Sequence, residues 1–148
     1  MGRFAAAGNA VLGTNVTALV IGGGTTVKAA IYDLTFSCGS TPADQQFTWT
    51  VRRTTTLGTT TAETPEPLDP DAPAAIATAG KSAIAGAEPT YAGIATLEFG
   101  LHQRAVYRWV ARERGEIITS KTASNGVGAS VVITSGTPTA RVVAHWFE

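Results

Sequence analysis

Hydrophobic and polar residues alternate with a period of two along most of the chain, the pattern of half-buried β-strands. In the segment 31–38 the alternation gives one face made of Tyr32, Leu34, Phe36 and Cys38. The segment 47–52 repeats the pattern, and turn-forming residues at 39–44 predict two antiparallel neighbours joined by a loop. The same reasoning predicts further strands at 15–21, 93–99, 105–110, 116–120, 129–134 and 140–147.

About eight strands in one domain, separated by turn residues, predict an all-β fold, an antiparallel β-sandwich or jelly roll. A Pro/Thr/Ala-rich segment at 57–87 interrupts the strands, and its prolines exclude a central strand there, so it is predicted to be a long crossover. Within it, 71–80 is compatible with one short helix, because acid and proline stand at its start and glycine at its end. Residues 1–13 are predicted to be an N-terminal arm that orders on contact with a partner, and residues 14–148 a single domain.

The composition adds that the chain is unusually poor in charged residues. The 148 residues include 11 Lys and Arg and 11 Asp and Glu, so the formal net charge is zero. Only 15% of residues are charged, against about 25% in most proteins. The absence of a basic excess argues against nucleic-acid binding, and 44% hydrophobic residues argue against disorder. A neutral, charge-poor surface is favoured where other subunits cover it.

Cysteine and histidine offer little for chemistry. The single cysteine, Cys38, excludes an intramolecular disulfide and multi-cysteine metal sites, and it is interpreted as a small core residue. His102 and His145 lie far apart and in no ligand or triad motif, so neither a catalytic residue nor a cofactor is predicted. No signal peptide or membrane-spanning run is recognised, which predicts a soluble protein made in the cytoplasm with no membrane partner.

Two motifs resemble ligand sites but are incomplete. Gly80, Lys81 and Ser82 resemble the end of a phosphate-binding loop, yet Ala75 stands where the motif requires its first glycine. Asp69 and Asp71 provide two carboxylates, fewer than a hard cation needs. A proline-rigidified turn is therefore the favoured interpretation, and the question of an ion at these two residues stays open.

The aromatic and basic residues suggest an interface. Aromatic residues on strands serve as core or interface anchors more often than as a sugar-binding surface. The alternation of Val106, Arg108 and Val110 favours a strand over a helix, so the arginines there form either an ion-paired edge or a contact to acidic groups of another protein. The candidate interface residues are Phe4, Trp49, Arg104, Arg108, Trp109 and Trp146.

The order of segments from about residue 13 onward resembles the cement or decoration proteins of tailed bacteriophages. The segments that carry the resemblance are 32–36, 47–55, 64–75 and 140–148. The resemblance implies a β-sandwich or jelly-roll subunit, usually a homotrimer, that binds the outside of the capsid. Such a subunit clamps neighbouring major capsid proteins and has no active site.

The first functional hypothesis is accordingly a structural virion protein that stabilises contacts between major capsid subunits. It predicts that deletion of residues 1–12 weakens capsid attachment and leaves the fold intact. The alternative is a receptor- or polysaccharide-binding module of a phage fibre, which predicts exposed aromatic residues along a groove. An enzyme is least favoured, because it requires converging histidine and carboxylate side chains.

Overall fold

The alternating segments form two antiparallel sheets in the computed structural model, which describes residues 1–11, 13–83 and 87–148. All eight strands expected from the pattern are present, with shifted ends, beside four further strands within those ranges. The strands are β1 (Arg3–Val11), β2 (Gly13–Gly22), β3 (Ala30–Ser40), β4 (Gln46–Thr54), β5 (Thr61–Glu63), β6 (Glu66–Pro67), β7 (Thr78–Lys81), β8 (Tyr91–His102), β9 (Tyr107–Val110), β10 (Ile117–Ile118), β11 (Gly126–Ile133) and β12 (Thr139–Phe147).

The two sheets pack face to face as a β-sandwich. The first sheet has the order β10-β3-β12-β1-β6, with β9 also paired to β3, and the second has the order β5-β7-β2-β11-β4-β8. Aromatic side chains fill the space between them, as shown by the rings of Phe36 and Trp49, whose centroids lie 5.0 Å apart. The sandwich is confirmed, whereas the more specific jelly-roll arrangement stays a prediction.

The connection between β3 and β4 differs from the predicted hairpin. β3 pairs with β12 in the first sheet, and β4 pairs with β11 and β8 in the second, so the loop between them crosses from one sheet to the other. The crossing lets each strand turn its apolar face towards the other across the core. The two alternating patterns were correctly interpreted as strands, but their pairing was wrong.

The N-terminal segment is a strand of the first sheet, which corrects the prediction of an arm at residues 1–13. β1 pairs with β12 over its whole length, from Arg3 opposite Phe147 to Val11 opposite Thr139. Phe4 is 1% exposed and lies in the same hydrophobic core as the rest of the sandwich. The core therefore includes the segment that the sequence analysis placed outside the domain.

The crossover at 57–87 is confirmed as a long connection, but its described part contains no helix. The Asp69 carboxylate accepts a hydrogen bond of 3.0 Å from the Asp71 amide, which closes a turn where the helix was predicted to start. Farther along, beyond the last proline of the segment, 78–81 forms β7 between β2 and β5, so the exclusion of a central strand from the whole segment was wrong. The proline-bearing β6 pairs only at the edge of the first sheet, where a missing amide donor is tolerated.

The two ends of the crossover, with the residues next to them, cover the outer face of the second sheet. The Thr55 and Thr59 amides donate to the carbonyls of Thr90 and Ala87 at 2.8 Å each, which ties the two segments together. At the start of β8, the Tyr91 hydroxyl shares a hydrogen bond of 2.7 Å with Thr17. β11 is consequently buried on both faces over most of its length. Among the described residues there is also no helix long and apolar enough to cross a membrane.

Candidate interaction surface

A β-bulge between β3 and β12 brings polar and aromatic side chains together on the outer face of the first sheet. The ladder passes from His145 opposite Asp33 to Trp146 opposite Ile31, so Tyr32 is the extra residue. Its ring stacks on that of His145, with 6.2 Å between centroids. The sequence pattern placed Tyr32 on the inward face with Leu34 and Phe36, and the bulge is the reason that this placement was wrong.

Asp33 lies at the centre of this face and is nearly closed off from solvent. Its side chain is 4% exposed, while that of its partner Arg108 is 64% exposed. The Arg108 guanidinium donates from Nε to Oδ1 at 3.0 Å and from Nη2 to Oδ2 at 2.6 Å, and Nδ1 of His145 lies 3.4 Å from Oδ2. A bidentate contact of this kind, here called two-pronged, fixes the guanidinium in one orientation.

The same contact determines the ionisation of Asp33. The hydrogen bonds from Arg108 hold the pKa of the Asp33 carboxyl below its ordinary value, against the opposing effect of burial. The carboxylate in turn raises the pKa of Arg108. The pair is therefore charged throughout the neutral range, and Arg108 presents a fixed cation to solvent.

Large apolar side chains are exposed beside this cation. Val110, in β9, is 53% exposed and stands opposite Asp33, and Ile118, in β10, is 40% exposed and stands opposite Ala30. Exposed apolar residues around an immobilised arginine are typical of the centre of a protein interface. We call this patch the Arg108 surface; it consists of Tyr32, Asp33, Arg108, Val110, Ile118, His145 and Phe147.

The six candidate interface residues have different outcomes. Phe4, Trp49 and Trp146 are at most 1% exposed and belong to the core, so their assignment to an interface is wrong. Aromatic residues at inward strand positions were needed to fill the space between the sheets, which the sequence pattern alone did not distinguish from an exposed position. Trp109 is half-buried and packs against that core from the inner face of β9.

The remaining two candidates are exposed arginines. Arg108 belongs to the Arg108 surface, and β9 supports the strand interpretation over the helical one. Arg104 lies away from it and bonds Asp44, with 2.9 Å between Nε and Oδ1 and both side chains largely exposed. An ion pair of that kind contributes little to stability.

Sequence reasoning missed most of the Arg108 surface. A charged residue in the middle of an apolar strand, as Asp33 is in β3, was the available signal, because such a residue needs a partner when it is buried. The partner itself comes from β9, 75 positions away in the sequence. Only the pairing of β3 with β9 brings the two together.

Within the ranges that the structure describes, no three His, Cys, Asp or Glu side chains converge as they would to hold a metal ion. The two histidines lie apart, with His102 at the end of β8 and His145 in β12. A separate cavity of about 250 Å³ lies beside β1 and is lined in part by Asn9, Glu63 and Lys81. The lysine and the glutamate of this cavity form an ion pair with each other.

Fold and surface together define a class, an all-β sandwich with an exposed apolar patch around a fixed arginine. Comparison with known proteins does not narrow this class: no family model matches the chain, and no match was found among curated proteins or solved structures.

Proposed function

We propose that the chain is a structural, non-catalytic protein that docks through the Arg108 surface onto another protein. In its specific form, the proposal is a cement or decoration subunit on the outside of a tailed-phage head, bound to the major capsid protein. The observation that carries it is the immobilised Arg108 guanidinium with exposed apolar side chains beside it. The capsid as the binding partner is taken from the resemblance to phage decoration proteins, and the homotrimer that this resemblance implies stays a prediction.

The physical argument concerns the cost of binding. An exposed arginine usually loses conformational freedom when it is buried in an interface. Here Asp33 has already fixed Arg108, so the partner gains a charged hydrogen-bond donor without that entropic loss. The apolar neighbours provide area whose removal from water favours association. On a shell, many identical weak contacts add up to stable attachment.

The test adds purified chain to phage heads that lack it and measures the fraction that sediments with the heads. Val110→Asn is expected to reduce attachment, because it places a polar amide at an interface position. Val11→Asn is the matched control, since Val11 is 60% exposed at the end of β1, outside the Arg108 surface. Arg108→Lys keeps the positive charge and loses the two-pronged contact, and it is also expected to weaken attachment.

Equal sedimentation of the two asparagine variants and the unmodified chain would contradict docking through this surface. Sedimentation of none of them, with the fold intact by circular dichroism, would contradict the capsid as the partner.

One observation favours a second candidate, a polysaccharide-binding module. The partly exposed rings of Tyr32, His145 and Phe147 stack side by side with interplanar angles of 24°. Sugars bind to such faces through their apolar sides, with charged groups as hydrogen-bond partners. This candidate predicts calorimetric binding to a host-surface polysaccharide that Tyr32→Ala abolishes, while attachment to heads is unaffected.

A further inference from the structure

The cavity beside β1 brings together an amine, a carboxylate and a side-chain amide from strands of both sheets. Asn9 stands in β1, Glu63 in β5 and Lys81 in β7, and all three line the same space of about 250 Å³. β1 belongs to the first sheet, whereas β5 and β7 form one edge of the second. The cavity therefore lies on the side of the sandwich where the two sheets approach each other.

The Lys81 side chain is held towards this cavity by Glu63. Lys81 stands opposite Thr61 and Glu63 stands opposite Ala79, so both side chains lie on the same face of the β5–β7 ladder. That face is turned towards the first sheet, because Ala79 belongs to the core. Nζ of Lys81 forms an ion pair with Oε2 of Glu63, and the two side chains are only 36% and 23% exposed. The carboxylate is thus in position to accept a proton from the ammonium.

The Asn9 amide is fixed beside the residue that carries the amine. Ser82 follows Lys81 in the chain, and its hydroxyl oxygen lies 2.5 Å from Oδ1 of Asn9 and 2.9 Å from the Asn9 backbone carbonyl oxygen. A hydrogen bond from this hydroxyl to Oδ1 polarises the side-chain carbonyl, which makes Cγ of Asn9 a better electrophile. The cavity therefore holds a nucleophile, a base and an activated amide carbon.

We propose that Lys81 and Asn9 form an intramolecular isopeptide bond, with Glu63 as the proton acceptor. Glu63 takes one proton from the Lys81 ammonium, and the neutral Nζ attacks Cγ of Asn9. The second proton that Nζ loses passes to Nδ2, the Cγ–Nδ2 bond breaks, and Nδ2 leaves as ammonia. Glu63 then releases its proton to solvent, so no oxidant, cofactor or other reactant is consumed. Because the fold holds the reacting groups in one cavity, the reaction has the advantage of an intramolecular step.

The bond would join the two sheets on the side that β1 and β7 share. It closes a loop of roughly 70 residues, and cross-links that close long loops restrict the unfolded chain most. The single cysteine, Cys38, allows no intramolecular disulfide to serve the same purpose. The inference is independent of the proposed docking function, because it uses none of the Arg108 surface.

The experiment measures the intact mass of the purified chain after prolonged incubation. The unmodified chain is expected to weigh about 17 Da less than its sequence, the mass of one ammonia, and a protease digest is expected to yield a branched peptide that joins the segments around Asn9 and Lys81. Lys81→Arg and Asn9→Ala are each expected to keep the full mass. Glu63→Gln is expected to slow the loss of ammonia about a hundredfold or more, because it removes the proton acceptor. Lys28→Arg, at an exposed loop residue, is the matched control and is expected to behave like the unmodified chain.

Two results would overturn the proposal. The first is an unmodified chain that keeps the full mass of its sequence while circular dichroism shows that it is folded. The second is a loss of ammonia that persists in Lys81→Arg. Asparagine can also lose ammonia by closing a ring on its own backbone, and that reaction needs no lysine.

Discussion

Replacement of Phe4 by alanine decides whether β1 belongs to the folding unit. Phe4 is 1% exposed, and its ring centroid lies 6.1 Å from that of Trp146. Both side chains come from strands of the first sheet and point into the space between the sheets. An N-terminal arm would instead leave Phe4 free, and its truncation would have no effect on stability.

The size of the effect follows from the burial. Truncation of a buried phenylalanine to alanine costs about 3–5 kcal/mol, the sum of the lost transfer free energy and the cavity that remains. The free energy of unfolding of a single domain is roughly 5–15 kcal/mol, so Phe4→Ala removes a large part of it. For a chain of this length, we expect the melting temperature to fall by roughly 6–20 °C.

Tryptophan fluorescence during urea unfolding is a suitable assay, because Trp146 next to Phe4 reports directly on this part of the core. Val11→Ala is the control, since Val11 lies on the same strand but is 60% exposed, and its loss should change stability by less than about 0.5 kcal/mol. A Phe4→Ala variant that loses less than about 1 kcal/mol would refute the packing of β1. By the same reasoning, deletion of residues 1–11 should unfold the chain rather than only detach it from a partner.

Three further results are expected. Asp33 has a lowered folded-state pKa because of Arg108, so its contribution to stability is full above about pH 4 and disappears as the pH falls through that lower pKa. The loss of stability caused by Asp33→Asn, measured by urea titration, should therefore shrink over the same pH range. A loss that does not depend on pH would contradict this prediction. Gly8→Ala should destabilise the fold in thermal melts, because the added Cβ would collide with a backbone carbonyl of β2, and an unchanged melting temperature would disprove that proximity. Tyr91→Phe should cost about 1 kcal/mol, since it removes the hydrogen bond to Thr17, and a Thr17→Val background should reduce this difference.

The sequence predicted the strands whose inward side chains are large and failed where they are small. Phe36 and Trp49 mark their strands clearly, whereas the inward positions of β1 after Phe4 are Ala6, Gly8 and Ala10. Alanine and glycine are poor strand formers, so a period of two in them carries little signal. The reason for their small size appears only in the folded chain, where β1 passes close to β2.

The Arg108 surface could not be predicted from the sequence for a related reason. Alternation fixes the face of a side chain only while the register is unbroken, and the bulge at Tyr32 reverses its face. Arg108 was recognised as an interface candidate, but Asp33 was not recognised as the residue that holds it. That contact depends on strands far apart in sequence, which local patterns do not specify.

Some of the chain's many threonines are buried in the sandwich. Thr17, Thr50 and Thr54 are at most 9% exposed on the second sheet, where the flanks of the crossover cover its outer face. The Thr17 hydroxyl bonds that of Tyr91, and within the covering segments the Thr90 amide donates to the Thr56 hydroxyl at 2.9 Å, since hydroxyl groups can both donate and accept. Part of the threonine content thus serves internal cohesion. The low charge of the molecule therefore reflects, in part, a second buried layer on the outer face of the second sheet.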